Sequence, residues 1–326
     1  MVLQRFMADI LVIVFSLVVL GKASQVTIKN ASRVAGITGI GRTAVGFILV
    51  SLSTSLPELS VALFSTASYD SAGIAVGNVL GSNIINVSFI LGVVILYASV
   101  KDLRCLEFLP LVTRDDVKEL QFGIFLASII PLILLYIGYA SRYIGLILIG
   151  VFTWNTYKLV KSREEMKEEG SLGEERRRLG WYVALVISGS VAVIGASYFI
   201  VGSASSVAAL LGVPRVLIGG TIVAFGTSIP ELATSLEAVK TNNMNMAMGN
   251  IVGSGFLNIT LILGVTLAAS EFAINVAAFS NLVIFSLMAN LFLWYFLNGD
   301  RICWREGALL VTLYVVFLIT SISEIL

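Results

Sequence analysis

The sequence has no histidine and only two cysteines in 326 residues. Without histidine the chain lacks the commonest zinc and copper ligand and the usual proton carrier near neutral pH. Cys105 and Cys303 are isolated, show no metal-ligand spacing, and read as free thiols. Charge is also scarce. Charged residues make up 13% of the chain, against about 25% in a soluble domain. The net charge of +1 gives no electrostatic footprint for nucleic acid. No stretch reads as an enzyme active site or a cofactor site, and none implies a protein partner.

In place of charge there are long apolar runs. Hydrophobic residues make up 57% of the chain, and the mean hydropathy is +0.96. About 20 apolar residues cross the hydrocarbon core of a bilayer. The expected architecture is therefore all-α and integral to the membrane, with the bilayer as its surroundings. Ten transmembrane helices are expected: Met7–Ile28, Thr43–Ala67, Ala72–Leu96, Leu120–Tyr139, Tyr143–Leu159, Trp181–Val201, Val216–Val239, Met246–Ala269, Phe272–Leu297 and Gly307–Ile325. The first run has no convincing cleavage site and does not read as a signal peptide.

Lys and Arg distribute unevenly over the loops that these spans define. Counted together with Lys22 and Lys158, which lie toward the adjoining ends of spans one and five, the loops after spans one, three, five, seven and nine hold 18 of them, and the opposite side holds 3. The positive-inside rule places the rich side in the cytoplasm and both termini outside it, in a multi-pass protein of the cell membrane. The longest polar segment, between spans five and six, carries mixed charge and reads as a solvated cytoplasmic linker. It divides residues 1–160, a first five-helix repeat, from residues 181–326, a second, with residues 161–180 as the linker. Because five is odd, two related halves must enter the membrane in opposite senses, giving inverted repeats with a site expected near the midplane.

The repeat is visible in the residues. Ser53-Thr54-Ser55-Leu56-Pro57-Glu58-Leu59 in the second span answers to Gly226-Thr227-Ser228-Ile229-Pro230-Glu231-Leu232 in the seventh. Gly77–Gly92 matches Gly249–Gly264 at 8 of 16 positions. Each proline lacks an N–H and frees the carbonyl four residues back, that of Ser53 or Gly226. Immediately after it comes Glu58 or Glu231, an ionisable group at the most expensive depth of the membrane. No Lys or Arg lies in the central part of any span, so each Glu is either protonated or neutralised by a bound cation.

The neighbours supply hard oxygen donors: Thr54, Ser55, Thr227 and Ser228 beside the carboxylates, and Ser82, Ser254, Asn86 and Asn258 in the next span of each half. Ser82 and Asn86, like Ser254 and Asn258, are four residues apart and share a helix face. Such a set suits Ca²⁺, which takes about six to eight oxygens, and Na⁺; it suits Mg²⁺ less well. Gly77 and Gly81, with Gly249 and Gly253, form small-xxx-small patterns for close helix approach against spans two and seven. Asn281 and Asn290 in span nine read as interhelical hydrogen-bonders, and Asp9 and Glu237 as span-end residues.

The doubled pattern Thr-Ser-x-Pro-Glu and Gly-Asn-x-x-Gly-Ser-x-x-x-Asn resembles the α repeats of the cation/Ca²⁺ exchanger superfamily, and most of all the prokaryotic Na⁺/Ca²⁺ exchangers. The resemblance covers the whole chain. It implies a Ca²⁺ site flanked by Na⁺ sites, with Glu58 and Glu231 shared between the ions and Thr54 and Thr227 offering backbone carbonyls. It also implies carbonyls from Ser51 and Ala224, hydroxyls from Ser82 and Ser254, a central place for Asn86 and Asn258, and alternating access in which spans one and six slide. Ser53, Gly255 and Ser51 depart from the usual Gly, Asn and Ala of that pattern. The expected activity is Na⁺-driven Ca²⁺ antiport. The alternatives are H⁺/Ca²⁺ exchange on the same Glu residues and a Ca²⁺-permeable channel.

Overall fold

A computed structural model describes residues 2–38, 54–66, 72–102, 106–107, 124, 128–139, 141–161, 178–240, 244–269, 276–298 and 301–323. They are almost entirely helical. The first half contains α1 (Val2–Thr38), α2 (Leu56–Thr66), α3 (Ala72–Ile84), the π-helical turn π1 (Ile85–Ile90) and α4 (Leu91–Asp102). It continues with α5 (Ser128–Ile137) and α6 (Arg142–Lys161). The second half begins with α7 (Leu179–Leu211), α8 (Arg215–Ile218), π2 (Gly219–Val223), α9 (Ala224–Thr227) and α10 (Ile229–Lys240). It ends with α11 (Met244–Leu257), π3 (Asn258–Ile262), α12 (Leu263–Ala269), α13 (Val276–Asn298) and α14 (Trp304–Ser323).

Among the described residues six helices are long and apolar enough to cross a membrane, and a bent pair makes a seventh. The bent pair is Arg215–Thr227 with Ile229–Lys240, which turn by 40° at Ser228. The sequence reads this stretch as one span; the structure breaks it, and Pro230 is the cause. Its nitrogen cannot donate to Gly226, while Ser228 N–H still reaches Ala224 O at 3.1 Å and Leu232 N–H reaches Ser228 O at 3.1 Å. Much of the expected span Thr43–Ala67, including Ser51 and Ser53, lies outside the described residues.

Burial sorts the helices into a centre and a periphery. In Ala72–Ser99 and Ala247–Ala269, 83% of the apolar stretch is buried within the protein, against 28% in Gln4–Thr27 and Leu179–Leu211. The central helices therefore contact protein on nearly every side. The peripheral pair, α1 packed along α7, turns residues such as Phe15 and Tyr198 outward, as helices with a lipid-facing side do.

Glycine sets the closest approaches. A β-carbon on Gly77 or Gly81 would overlap the carbonyl oxygen of Val216 or Gly220, so α3 meets the seventh span backbone to backbone. That fulfils the packing role expected of Gly77 and Gly81. Asn281 donates to Ser321 at 3.3 Å and Asn290 to Ser128 at 2.7 Å, both between helices as expected.

Two minor expectations change. Asp9 is half-buried and accepts a hydrogen bond from Ser206 Oγ at 2.5 Å, so it joins α1 to α7 rather than reaching for water. Cys303 is disulfide-bonded, not a free thiol. The only other cysteine is Cys105. The short antiparallel pair β1 (Leu106–Glu107) and β2 (Arg301–Ile302) ends just before Cys303, with Leu106 paired to Ile302 and Glu107 to Arg301.

Candidate functional site

The site forms where the two broken, proline-bearing helices meet the two polar central ones. Glu58 stands in the first turn of α2 and Glu231 in the first turn of α10. Both are fully buried, and they lie close enough to act on each other electrostatically. No Lys or Arg occurs in residues 56–100, 216–239 or 244–269, the stretches that carry the site. Two ionised carboxylates there would form an uncompensated charge of −2, at a cost of several kcal/mol for each ion.

Around each carboxylate the same hydrogen bonds recur with the halves exchanged. Ser82 Oγ donates to Glu58 Oε1 at 3.4 Å, and Ser254 Oγ to Glu231 Oε1 at 3.5 Å. Ser82 shares a hydroxyl contact of 3.3 Å with Thr227, as Ser254 does at 3.2 Å with Thr54. Thr227 Oγ1 donates to Asn78 Oδ1 at 3.0 Å, and Thr54 Oγ1 to Asn250 Oδ1 at 3.2 Å. Each hydroxyl chain crosses from one half of the protein to the other, and each begins or ends beside a Glu.

Two features of the pattern are not shared. Ser55 Oγ donates to Glu231 Oε1 at 3.4 Å, whereas Ser228 Oγ is buried without a hydrogen bond. Asn250 Nδ2 donates to Ser235 Oγ at 3.1 Å and to Glu231 O at 3.4 Å, whereas Asn78 Nδ2 has no partner.

Several of the expected site residues carry unpaired atoms. Glu58 Oε2, Glu231 Oε2, Ser228 Oγ and both side-chain polar atoms of Asn86 and Asn258 are buried without a hydrogen bond. Buried polar atoms are nearly always satisfied, so these call for a further partner such as a ligand. The oxygens among them are hard donors, the kind that Ca²⁺ and Na⁺ accept. Among the described residues no group of three or more His, Cys, Asp or Glu exists. Any cation held here is thus held by two carboxylates and neutral oxygens.

π-Helical turns frame the site. Asn86 is the second residue of π1 and Asn258 the first of π3, while π2 leads into α9 and its Thr227. Such turns are frequent at functional sites.

Of the residues expected from sequence, Glu58, Ser82 and Thr227 join one hydrogen-bonded chain and Glu231, Ser254, Thr54 and Ser55 the other, and Ser228, Asn86 and Asn258 are buried with unpaired atoms. Ala224 is buried at the start of α9. Ser51 lies outside the described residues. Asn78 and Asn250 were missed as site residues. They accept from the Thr hydroxyls, and the signal for them was present in the duplicated Gly-Asn of the second motif.

The sodium/calcium exchanger protein family matches residues 8–159 and 181–323. Inner membrane protein YrbG of Escherichia coli is 29% identical over 311 residues, covering 92% of this chain and 90% of that one. Sodium/calcium exchanger MaX1 of Methanosarcina acetivorans is 38% identical over 93 residues, and the match spans only 26% of that relative's length and 28% of this chain. Among solved structures, the sodium-calcium exchanger NCX_Mj superposes with a TM-score of 0.65 at 26% identity, covering 96% of this chain and 98% of that one. The H⁺/Ca²⁺ exchanger CAX superposes with a TM-score of 0.79 at 21% identity, over 97% and 85%, a likeness of fold.

Proposed function

Because the chain belongs to the sodium/calcium exchanger protein family, we propose that it is a Na⁺-driven Ca²⁺ antiporter working by alternating access around Glu58 and Glu231. The observation that carries this reading is the pair of fully buried carboxylates with unpaired oxygens and no basic residue in the stretches around them. A multi-pass membrane protein keeps such a pair only where a cation or protons neutralise it. In this reading Ca²⁺ sits between the carboxylates and takes further oxygens from Thr54, Thr227, Asn86 and Asn258. Na⁺ ions share the same carboxylates and use Ser82, Ser254, Ser55 and Ser228, with Ser51 and Ala224 lending carbonyls one turn earlier. One Ca²⁺ cancels a site charge of −2. Three or more Na⁺ overfill it, so the exchange moves net charge.

The proposed architecture is ten helices in two inverted five-helix repeats, residues 1–160 and 181–326, joined by a cytoplasmic linker, with both termini outside the cytoplasm. The supports are the 18-to-3 division of Lys and Arg and the exchanged hydrogen bonds of the two halves.

Protons loading the same two Glu residues would give H⁺/Ca²⁺ exchange, and the test separates the two. ⁴⁵Ca²⁺ uptake is measured in proteoliposomes loaded with Na⁺, with K⁺, or acidified inside. Uptake only against internal Na⁺ is expected. Uptake driven by the pH gradient would assign the chain to proton coupling, and equal uptake in all three would make it a channel.

A further inference from the structure

Three π-helical turns surround the site, and each contains one hydroxyl residue bonded back to a carbonyl four residues earlier. Ser88 in π1 donates to Ile84 O, Thr221 in π2 to Leu217 O at 2.7 Å, and Thr260 in π3 to Phe256 O at 2.5 Å. We propose that the hydroxyls of Ser88 and Thr260 hold these turns open and so are positioning residues for Asn86 and Asn258. The functional part of this inference rests on the exchanger reading above.

A π-turn takes one residue more than an α-turn. Leu91 N–H accordingly reaches Asn86 O, and Leu263 N–H reaches Asn258 O, five residues back. At the entry to π1 and π3 the Ser88 and Thr260 hydroxyls bind the carbonyl four residues back, competing with the backbone amides for it. A side chain inserted into the ladder in this way favours its interruption.

The extra residue has a purpose that the glycines reveal. Gly81 and Gly92 are eleven positions apart in one continuous span. In an uninterrupted α-helix that separation returns to within about 20° of the same face. They do not meet the same neighbour. A β-carbon on Gly81 would overlap Gly220 O in the seventh span, whereas one on Gly92 would stand 2.9 Å from Gly307 O in α14. One extra residue rotates the following segment by about 100°, enough to send the two glycines to different partners. The second half has a glycine at the same spacing. Gly264 lies eleven positions after Gly253, and its β-carbon would stand 3.0 Å from Gly145 O in α6.

Span three is therefore clamped at both ends, by backbone contacts that leave no room for rotation, and π1 is the joint between the clamps. Asn86 sits in that joint, and Asn258 in its counterpart. If the hydroxyl is lost, the strain between the two clamps falls on the turn, and the amide that lines the site is the first group to shift.

The test is Na⁺-driven ⁴⁵Ca²⁺ uptake by purified full-length protein carrying Ser88→Ala or Thr260→Ala, with Ser88→Thr as the conservative partner. Ser197→Ala is the control, since Ser197 makes the same kind of bond, to Val193 O at 2.9 Å, in the regular helix α7. The half-saturating Ca²⁺ concentration is expected to rise about fivefold in each Ala variant, the loss typical of one buried hydrogen bond. The maximal rate should fall less, and Ser88→Thr and Ser197→Ala should stay near wild type. Half-saturation unchanged in both Ala variants, or shifted equally by Ser197→Ala, overturns the proposal. Should Ser88→Ala fail to elute as a single folded species, Thr260→Ser against Thr260→Val isolates the hydroxyl instead. A wild-type protein with no Na⁺-driven uptake defeats the exchanger reading alone, and the same variants are then read by calorimetric titration with Ca²⁺.

Discussion

The two halves of the site agree wherever a group touches a carboxylate through the central helices, and differ one layer further out. Ser82 and Ser254, Thr227 and Thr54, and Asn78 and Asn250 make matched bonds whose lengths differ by at most a few tenths of an ångström. Apart from Ser55 and Ser228, the differences begin where a polar group in one half meets a substituted position in the other. Ser235 supports Asn250, but the corresponding position in the first half is Ala62, buried and without a polar atom. Asn83 faces Gly255, its own counterpart, whose β-carbon would stand 3.2 Å from Asn83 Oδ1. A duplicated site has thus kept its inner ring in two copies while its supports have diverged. The inner ring should respond to mutation symmetrically and the supports should not.

The hardest challenge to that symmetry is charge. Glu58→Gln and Glu231→Gln each remove half of the site's negative charge without changing its shape. Both are expected to abolish Na⁺-driven ⁴⁵Ca²⁺ uptake, a fall of at least about a hundredfold for a lost, fully desolvated ion contact of roughly 3 kcal/mol or more. Near-normal transport in either variant would show that the two carboxylates do not form one site.

Next come the serines that bridge each Glu to the opposite half. Ser82→Ala and Ser254→Ala each delete one bond to a carboxylate and one to a threonine. Each should raise the half-saturating Ca²⁺ or Na⁺ concentration about tenfold, which corresponds to about 1.4 kcal/mol. The two effects should agree within about a factor of three, the usual context dependence of such contacts. A large effect in one and none in the other would mean that the matched geometry does not carry matched function.

Much of this arrangement is legible in the sequence because it rests on local patterns. Apolar runs, the Lys and Arg bias, and a carboxylate following proline inside a span are each visible within about 20 residues. The inner ring followed from the same logic, since Glu58 and Glu231 needed oxygen partners and the duplicated motifs supplied them. Features that depend on distant partners were not legible. The π-turns at Asn86 and Asn258 have no compositional mark. The Cys303 disulfide has no mark in the spacing of two isolated cysteines. Asn78 and Asn250 passed as parts of a packing motif because their role appears only once Thr227 and Thr54 are placed beside them.

The third comparison separates Ser55 from Ser228. Ser55 donates to Glu231, while the buried Ser228 Oγ makes no bond. Ser55→Ala should therefore raise half-saturation about fivefold, the typical worth of one hydrogen bond to a buried group. Ser228→Ala should change it about twofold or less in the same uptake assay, since no such bond is lost. Equal losses would indicate that Ser228 binds the ion directly in the loaded state and that its unpaired oxygen is the more functional of the two.

The smallest effect concerns the supports, and it can be driven in both directions. Asn250 Nδ2 has Ser235 and Glu231 O as acceptors; Asn78 Nδ2, fully buried, has none. An unsatisfied buried donor costs about 1–3 kcal/mol. Replacing Ala62 by Ser adds one hydroxyl at the position equivalent to Ser235 and gives Asn78 the acceptor it lacks. Ala62→Ser is expected to raise the thermal midpoint of the purified protein by a few degrees, since about 1 kcal/mol moves the midpoint of a domain this size by about 2–4 °C. Ser235→Ala should lower it by a similar amount, and neither should alter half-saturation beyond about twofold, because neither residue touches a carboxylate side chain. The double variant exchanges the two supports and should melt near the wild-type temperature if the halves are equivalent apart from this contact. A double variant that melts well below both singles would show that the support belongs to one half for a reason of packing, and that the divergence of the outer layer is itself selected.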